Sequence, residues 1–292
     1  MSFNGRTCAF LTTDDLAGYV TDDVLAEAPL AELGWAVEHV PWRQPGGWER
    51  YDAVVIRSTW DYHKHPEEFL AVLEEIGRSG SRLANPLELV RWNARKTYLR
   101  DLEARGLPVV PTVWDRSLFG ELDADEIVIK PVISASAFHT YRLRRGELWS
   151  GEMEAAFAGR EIMAQPFLRS IVEGGEYSLF YFGGELSHAV LKSPKEEDFR
   201  VQEEHGGLIL PVAPPGPLVE LGHRIVEGLP VPPLYARVDL ARLDSGQYAL
   251  MELELIEPSL YFRTDPESPR RFARAFDEWM NLGSELTAAR NG

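Results

Sequence analysis

The sequence predicts a mixed fold, α/β at its amino-terminal end and α+β beyond, divided into two or three units that share clefts. Three observations carry this reading. A chain of 292 residues sits where single cores usually stop growing. Up to Gly80, short apolar runs alternate with segments of helical spacing. From Glu176 onward, apolar runs come in pairs joined by glycine-containing turns.

Taken in order, TCAFLTT (7–13) is a short buried strand, and DDVLAEAPLAELG (22–34) has helical spacing that ends at Gly34. WAVEHV (35–40) alternates, and YDAVVIRS (51–58) is a compact apolar strand. PEEFLAVLEEIGRSG (66–80) opens with proline and two acids and stops at glycine, as the helix dipole and capping rules favour. The segment 85–112 starts with a turn, continues as one helix closing at Gly106, and leaves by a proline-punctuated strand. EIVIKP (126–131) and REIMAQPFL (160–168) are strands, with a hairpin around Arg145 and Gly146 between them. EYSLFYFGGELSHAVLKSP (176–194) is a hairpin turning through Gly183 and Gly184, and 235–258 is a second one. An amphipathic helix over 268–289 closes the chain, and there is no internal repeat.

Composition excludes several function classes. The 46 acidic against 30 basic residues give a formal charge of -16, whose average field repels a long polyanion, so nucleic acid is not an expected partner. A small anion such as ATP stays admissible, because a few local cations and Mg2+ reverse the sign inside one cleft. Cys8 is the single cysteine, which rules out an internal disulfide and a cysteine-based zinc site. No apolar run is long enough to cross a membrane, and the first residues lack a basic leader with an apolar core. The expectation is therefore a cytoplasmic protein without a membrane partner.

The stretch LMELELIEP (250–258) places Glu252, Glu254 and Glu257 in an otherwise apolar run. Residues two apart on a strand share a face, so Glu252 and Glu254 project together while Leu253 and Leu255 face the opposite side. With Ser245 and Gly246 as a two-residue loop, Asp239 stands opposite Glu252 and Arg237 opposite Glu254. Opposed like charges destabilise a ladder unless a cation compensates them. Facing Cβ atoms lie roughly 4.5–5.5 Å apart, a spacing suited to carboxylates that share hard cations, and all-oxygen ligation favours Mg2+ or Mn2+ over zinc. On a solvated sheet face the same charges would instead point into water, with Arg237 neutralising some of them.

Lys130 ends the strand EIVIK and precedes a run of small and hydroxyl residues whose backbone amides can approach a phosphate. Neither GxxxxGK[ST] nor GxGxxG occurs. In AQPFLRS, Gln165, Pro166, Phe167 and Leu168 leave a strand as a hinge: the Pro166 carbonyl can accept from an adenine amine and the Leu168 amide can donate to a ring nitrogen. Glu176 lies close enough in sequence to take ribose hydroxyls, or else is an ordinary surface acid.

Lys96 in WNARKTYL, Lys130 in VIKP, the QPFL hinge, Glu176 in GGEYS, Arg237 and Asp239 in ARVDL, and Glu252 with Glu254 in MELELIEP occur in the order found in the ATP-grasp superfamily. The chain resembles its glutathione synthetase and ribosomal-protein glutamate ligase branch. Through RSTWDY, NP, RWN and LIEPSLYF it resembles the O-ureido-serine cyclo-ligase (D-cycloserine synthetase) group. The resemblance implies an ATP-grasp fold: a Rossmann-like amino-terminal domain (1–92), a central lid lobe (93–164) and a carboxyl-terminal lobe with the metal site (165–292), the two lobes enclosing ATP. It also implies phosphate contacts from Lys96 and Lys130, adenine contacts from the hinge, ribose contacts from Glu176, and two Mg2+ ions on Asp239, Glu252 and Glu254. Three departures stand out: Glu254 replaces a common asparagine, no glycine follows Lys130 in its loop, and Arg95 precedes Lys96 where an acid is usual.

The chemistry implied is attack of a substrate carboxylate on the γ-phosphate of ATP, then displacement of phosphate from the acyl phosphate by an amine-type nucleophile. Arg237 and Arg200 are the expected catalytic arginines, Arg200 by its match to an arginine-bearing loop of the same branch. Arg57, Asp61 and Tyr62 follow a strand end, where ligands of open α/β sheets sit, and would hold an amino acid or small peptide through its carboxylate and ammonium; Lys192 is a further candidate. Arg57 and Asp61 could equally pair with each other. His63 and His65 lack a third metal ligand and read as a solvated loop. A small-molecule kinase and a nucleotide-sensing or metal-sensing module are the competing classes, and a homodimer is expected only by family analogy.

Overall fold

A computed structural model describes residues 5–135, 137–196 and 198–290, with the backbone alone for 283–290. Its strands form three sheets. In the first, β1 (Arg6–Thr12), β2 (Trp35–Pro41), β3 (Ala53–Ser58) and β4 (Arg82–Ala84) are all parallel, in the order β2-β1-β3-β4. The helices α1 (Glu27–Glu32) and α2 (Pro66–Ser79) serve as crossovers. Alternate residues explain why these strands read as unbroken apolar runs. Cys8, Phe10, Ala53 and Val55 pack on one side with Leu30 of α1, while Ala9, Leu11, Val54 and Ile56 pack on the other with Phe69, Leu73 and Ile76 of α2. Both faces are covered, as parallel sheets require.

Helices α3 (Leu87–Asn93) and α4 (Tyr98–Ala104) come next, then the antiparallel sheet β6-β5-β7, built from β5 (Glu126–Pro131), β6 (Tyr141–Arg144) and β7 (Ile162–Pro166). The helix α5 (Gly151–Phe157) covers it, packing Met153 and Phe157 on Ile127, Ile129 and Leu143. After α6 (Arg169–Gly174), the third sheet runs β10-β9-β8-β11-β12. Its strands are β8 (Glu176–Phe182), β9 (Glu185–Ser193), β10 (Leu208–Pro211), β11 (Tyr235–Arg242) and β12 (Tyr248–Glu254), all antiparallel to their neighbours, with α7 (Gly216–Glu227) between β10 and β11. One face of this sheet, carrying Leu179, Tyr181, Val238, Leu240 and Leu253, packs under α3, α4 and α7. The final helix, α8 (Ser268–Arg290), returns to the first sheet, where Phe272 and Phe276 meet Phe10 and Trp35, and Asp277 accepts from the Trp35 indole at 3.0 Å.

Three segments differ from the sequence reading. The helix expected to run unbroken to Gly106 is split into α3 and α4 by a turn at 94–97. Asn93 causes the break from a distance: its amide nitrogen donates to the Leu253 carbonyl and its oxygen accepts from the Leu255 amide, both at 2.9 Å, while the Lys96 amide donates to Val132. No glycine or proline marks this turn, so periodicity alone misses it. The strand expected over 107–112 forms only isolated bridges, Val109 to Leu250 and Val113 to Ala164, because Pro108 and Pro111 have no N–H to give a ladder. The turn at Arg145 and Gly146 follows β6 but leads into a loop and into α5, whose start is capped by the Ser150 hydroxyl accepting from Met153.

No helix of the described residues is long and apolar enough to cross a membrane.

The first and third sheets are joined by buried polar side chains. Asn85 donates to the carbonyls of Tyr235 (2.9 Å) and Leu255 (2.7 Å) and accepts from the Leu234 amide (2.7 Å). The Tyr235 hydroxyl, between the carbonyls of Ile56 (2.7 Å) and Ile256 (2.9 Å), donates to one at a time. Replacing Asn85 with alanine strands buried backbone groups at the open end of the β11–β12 hairpin. Urea unfolding should show a loss of about 2–4 kcal/mol.

His188 stacks on Phe180 at 4.3 Å and hydrogen-bonds the Leu260 carbonyl through Nε2. Burial pushes its pKa down to about 4, against a weaker opposing pull from that hydrogen bond. A histidine with a depressed folded-state pKa stabilises fully above its unfolded value near 6.5, and that stability is lost as pH falls towards 4. The loss amounts to about 3 kcal/mol, and a His188→Gln variant should show a correspondingly shallower fall in stability between pH 6.5 and 4.

Candidate active site

The face of the third sheet opposite α3, α4 and α7 forms the floor of an open cleft, with the β5–β7 sheet on one side and the chain after β3 on the other. The β11–β12 hairpin places its charges as expected, Arg237 opposite Glu254 and Asp239 opposite Glu252, but by a different route. Its loop has three residues, Asp244 to Gly246, closed by the Leu243–Gln247 pair, with Gly246 at φ +84°. That loop pairs Leu240 with Leu250, one residue out of the expected register. A bulge at Met251 restores it. Without that extra residue, Glu252 would face Val238 on the apolar side.

Four cations from four parts of the chain meet these acids. Lys96, in the α3–α4 turn, lies 2.7 Å from Glu252, and Lys130, near the end of β5, lies 3.6 Å from it. Lys192 of β9 bridges Glu176 (2.6 Å) and Asp239 (3.3 Å). Arg237 pairs with Asp239 at 2.9 Å and with Glu254, and Ser178 donates to Asp239. Lys96 also donates to the Ser134 carbonyl at 2.9 Å, which ties the central sheet's loop to the floor.

Burial raises every carboxyl here, and the outcome depends on the cations. Lys96 and Lys130 outweigh burial at Glu252 and hold it well below the usual carboxylate range. Arg237 and Lys192 outweigh it at Asp239. Glu254 is pushed up to about 7, because burial and the charges of Asp239 and Glu252 exceed what Arg237 returns. Glu176 is also raised, and Glu257 well above the normal range, by burial first and then by Glu254. Burial lowers the Lys130 ammonium despite Glu252.

Among the described residues no three acidic or histidine side chains converge as a preformed metal cage. Asp239, Glu252 and Glu254 share one face, but each is drawn to a lysine or arginine. Three hard oxygen donors beside a phosphate-sized opening nevertheless fit Mg2+, which usually takes one or two carboxylates and completes its shell with phosphates and water.

The segment Gln165 to Leu168, expected as the hinge, lines the cleft. Phe167 donates to the Glu126 carbonyl at 2.9 Å, so the next pair, Pro166 and Ile127, is a non-hydrogen-bonded one, and the Pro166 carbonyl points away from β5. The Leu168 amide has no partner among the described residues. Gln165 donates to the Thr112 hydroxyl, which leaves it a positioning contact, and the Arg142 guanidinium lies 3.6 Å over Phe167. Arg200 lines the cleft but is held by Asp198 at 2.8 Å and 3.1 Å. The glycine-free loop after Lys130 adopts left-handed backbone at Ala137 (φ 53°) and His139 (φ 51°). Arg95, at the position where an acid is usual, pairs with Glu161.

The expected substrate cluster separates. Arg57 is 1% exposed and belongs to the inter-sheet core, where it binds Asp23 (2.8 and 3.0 Å) and the Pro258 carbonyl (3.0 Å). Asp61 faces the other way, to Arg43 and the Trp42 indole. Neither reaches the cleft, and they do not pair with each other; Tyr62 does line it. Lys192 sits with the acids of the floor rather than at a substrate position. His63 is buried against Phe138 rather than solvated. Sequence reasoning gave no role to Asn93, Trp60, Glu257 or Tyr261. The signal for Glu257 was present as a third acid in an apolar run, but its place beyond the end of β12 took it out of the strand argument.

A family model described as the D-cycloserine synthetase DcsG amino-terminal domain matches residues 8–85. The cycloserine biosynthesis protein DcsG of Streptomyces lavendulae is 32% identical over 255 residues, covering 79% of this chain and 84% of that protein. The chain belongs to the DcsG family of ATP-grasp ligases. The crystal structure of D-cycloserine synthetase DcsG superposes on this ligase with a TM-score of 0.82 at 27% identity, over 94% of this chain and 99% of that one. The ATP-grasp ligase PsnB in complex with a minimal precursor matches at 0.62 and 18% identity over 93% and 98%, a likeness of fold. The match to the amino-terminal family model ends at Asn85, the residue that joins the first and third sheets of this ligase.

Lys192→Met leaves Glu176 and Asp239 without their shared cation in a buried site. The variant should be less stable by about 3–5 kcal/mol in urea unfolding, a loss larger than that for Arg200→Met, whose guanidinium is half-exposed.

Proposed function

We propose that this DcsG-family ligase joins a small-molecule carboxylate to an amine-type nitrogen through an acyl phosphate, releasing ADP and phosphate. The observation that carries this is the set of four acids, Glu176, Asp239, Glu252 and Glu254, matched by four cations, Lys96, Lys130, Lys192 and Arg237, at the floor of one cleft in a protein of net charge -16. Lys96 and Lys130 both lie on Glu252. A triphosphate would give both lysines another partner and would leave Glu252 able to hold a metal ion.

Within this reading, Pro166 and Leu168 hold the adenine edge, with Gln165 and Phe167 shaping its bed and Glu176 toward the ribose. Asp239, Glu252 and Glu254 hold Mg2+, or Mn2+ in its place. When bound, the metal neutralises charge that builds up on the transferring phosphoryl group. Lys96 and Lys130 position the γ-phosphate, Arg237 offsets charge on the reacting oxygens, and Arg200, released from Asp198, steadies the acyl phosphate. Phosphoryl transfer needs little covalent help beyond positioning and charge neutralisation. The lobe built on β5–β7 contributes the hinge and Lys130, so its closure excludes the water that would hydrolyse the activated acyl group.

The test is ADP release from Mg-ATP across amino acids, dipeptides and O-ureido-serine, with and without hydroxylamine and with product mass analysis. A carboxylate that triggers ADP release and yields a hydroxamate supports the acyl phosphate. A stable phosphorylated product would make the enzyme a kinase instead. Glu252→Ala should reduce ADP formation by about 10³-fold or more, the scale of a lost transition-state contact; retained turnover would reject the metal assignment.

A further inference from the structure

Among the described residues, two acids that line the cleft are left unused by the mechanism above: Glu204, which is exposed, and Glu257, which is 7% exposed. Glu176, Asp239, Glu252 and Glu254 each have a lysine or arginine at ion-pair distance, whereas Glu257 has none among the described residues. Its carboxylate makes no hydrogen bond to another residue among the described residues. The backbone around it is firmly held: the Trp60 indole donates to its carbonyl at 2.9 Å, and the next carbonyl, of Pro258, accepts from Arg57. A chain that spends two buried contacts to fix this residue, and supplies no counter-ion, has left room for one.

The surroundings specify what that counter-ion is. Trp60 and Tyr62 line the same cleft beside Glu257, and the Tyr62 hydroxyl makes no hydrogen bond among the described residues. Aromatic walls with a carboxylate suit an organic cation better than a hydrated divalent metal, which needs several oxygen donors around it. Glu257 stands three residues past Glu254, with the chain bent through Leu255 and Ile256 beyond the end of β12. An α-amino acid carries its ammonium one carbon from its carboxylate. If the carboxylate meets the γ-phosphate over Glu252 and Glu254, the ammonium is received within the same cleft, whose lining includes Glu257.

We propose that Glu257 is the anchor for the substrate's α-ammonium, ionised in contact with it, with Tyr62 and Trp60 as its walls, so that this residue selects free amino acids over carboxylates without a neighbouring amine. The inference rests on the ligase reading for the placement of the reacting carboxylate. It assigns to Glu257 and Tyr62 the recognition that Arg57 and Asp61 cannot provide.

The experiment is titration calorimetry on the full chain saturated with Mg2+ and a non-hydrolysable ATP analogue. The ligands are α-amino acids and the 2-hydroxy acids with the same side chains, each titrated into wild type, Glu257→Gln and Glu257→Asp. Wild type should bind at least one amino acid roughly 10- to 100-fold more tightly than its hydroxy-acid counterpart, the scale of a buried charge pair. Glu257→Gln should erase that preference to within about threefold while nucleotide and Mg2+ binding stay within about twofold, and Glu257→Asp should keep part of it. A preference that survives in Glu257→Gln overturns the proposal. So does a wild type that binds no amino acid selectively, or a variant whose main defect is in Mg2+ binding. ADP release by the wild type is scored separately. Selective binding without ADP release fails the ligase reading and leaves the anchor standing, and ADP release with undiminished selectivity in Glu257→Gln does the reverse.

Discussion

The buried charge network on the floor of the cleft is the constraint on which the rest of the structure depends. Four carboxylates gathered in one cleft, Glu176 and Asp239 buried and Glu252 and Glu254 partly so, are tolerable because Lys96, Lys130, Lys192 and Arg237 reach them, and those cations come from a helix break, the ends of two strands and the hairpin itself. Each of those local features therefore has an electrostatic reason. The α3–α4 break lets Lys96 turn towards Glu252, and the Met251 bulge keeps Glu252 on the charged side of β12.

The same network couples the parts of the molecule. Lys130 and the Ser134 carbonyl belong to the β5–β7 unit, Glu252 to the third sheet, and Lys96 to the helices under it, so one ion-pair cluster joins elements that have separate apolar cores. The connection to the first sheet is different in kind. Asn85 and the Tyr235 hydroxyl satisfy backbone groups of several strands at once, a rigid link with no net charge to be displaced by a ligand. Ion pairs join the β5–β7 sheet to the floor of the cleft. Neutral, geometry-dependent hydrogen bonds join the first sheet to it.

Arg57 shows how the same residue type is used differently a short distance away. At the end of β3 it has the position of a ligand-binding arginine, but Asp23 and the Pro258 carbonyl take its donors, and it supports the backbone that presents Glu257. The recognition expected of Arg57 and Asp61 is thereby moved to the far end of the same polypeptide contact.

Much of this was legible in the sequence because it follows from local periodicity. The parallel strands, the glycine-closed helices, the Gly183–Gly184 hairpin and the shared face of Asp239, Glu252 and Glu254 depend on alternation and turn chemistry within a few residues. Tertiary structure decided the rest, since partner choice for a charge depends on neighbours that are distant in sequence. It broke the helix at Asn93 through bonds to β12, gave Arg57 to Asp23 and Asp61 to Arg43, and placed α8 on the first sheet. It also left Glu257, among the described residues, with no lysine or arginine at ion-pair distance, because the bend after Glu254 carries it away from the cations paired with the other acids.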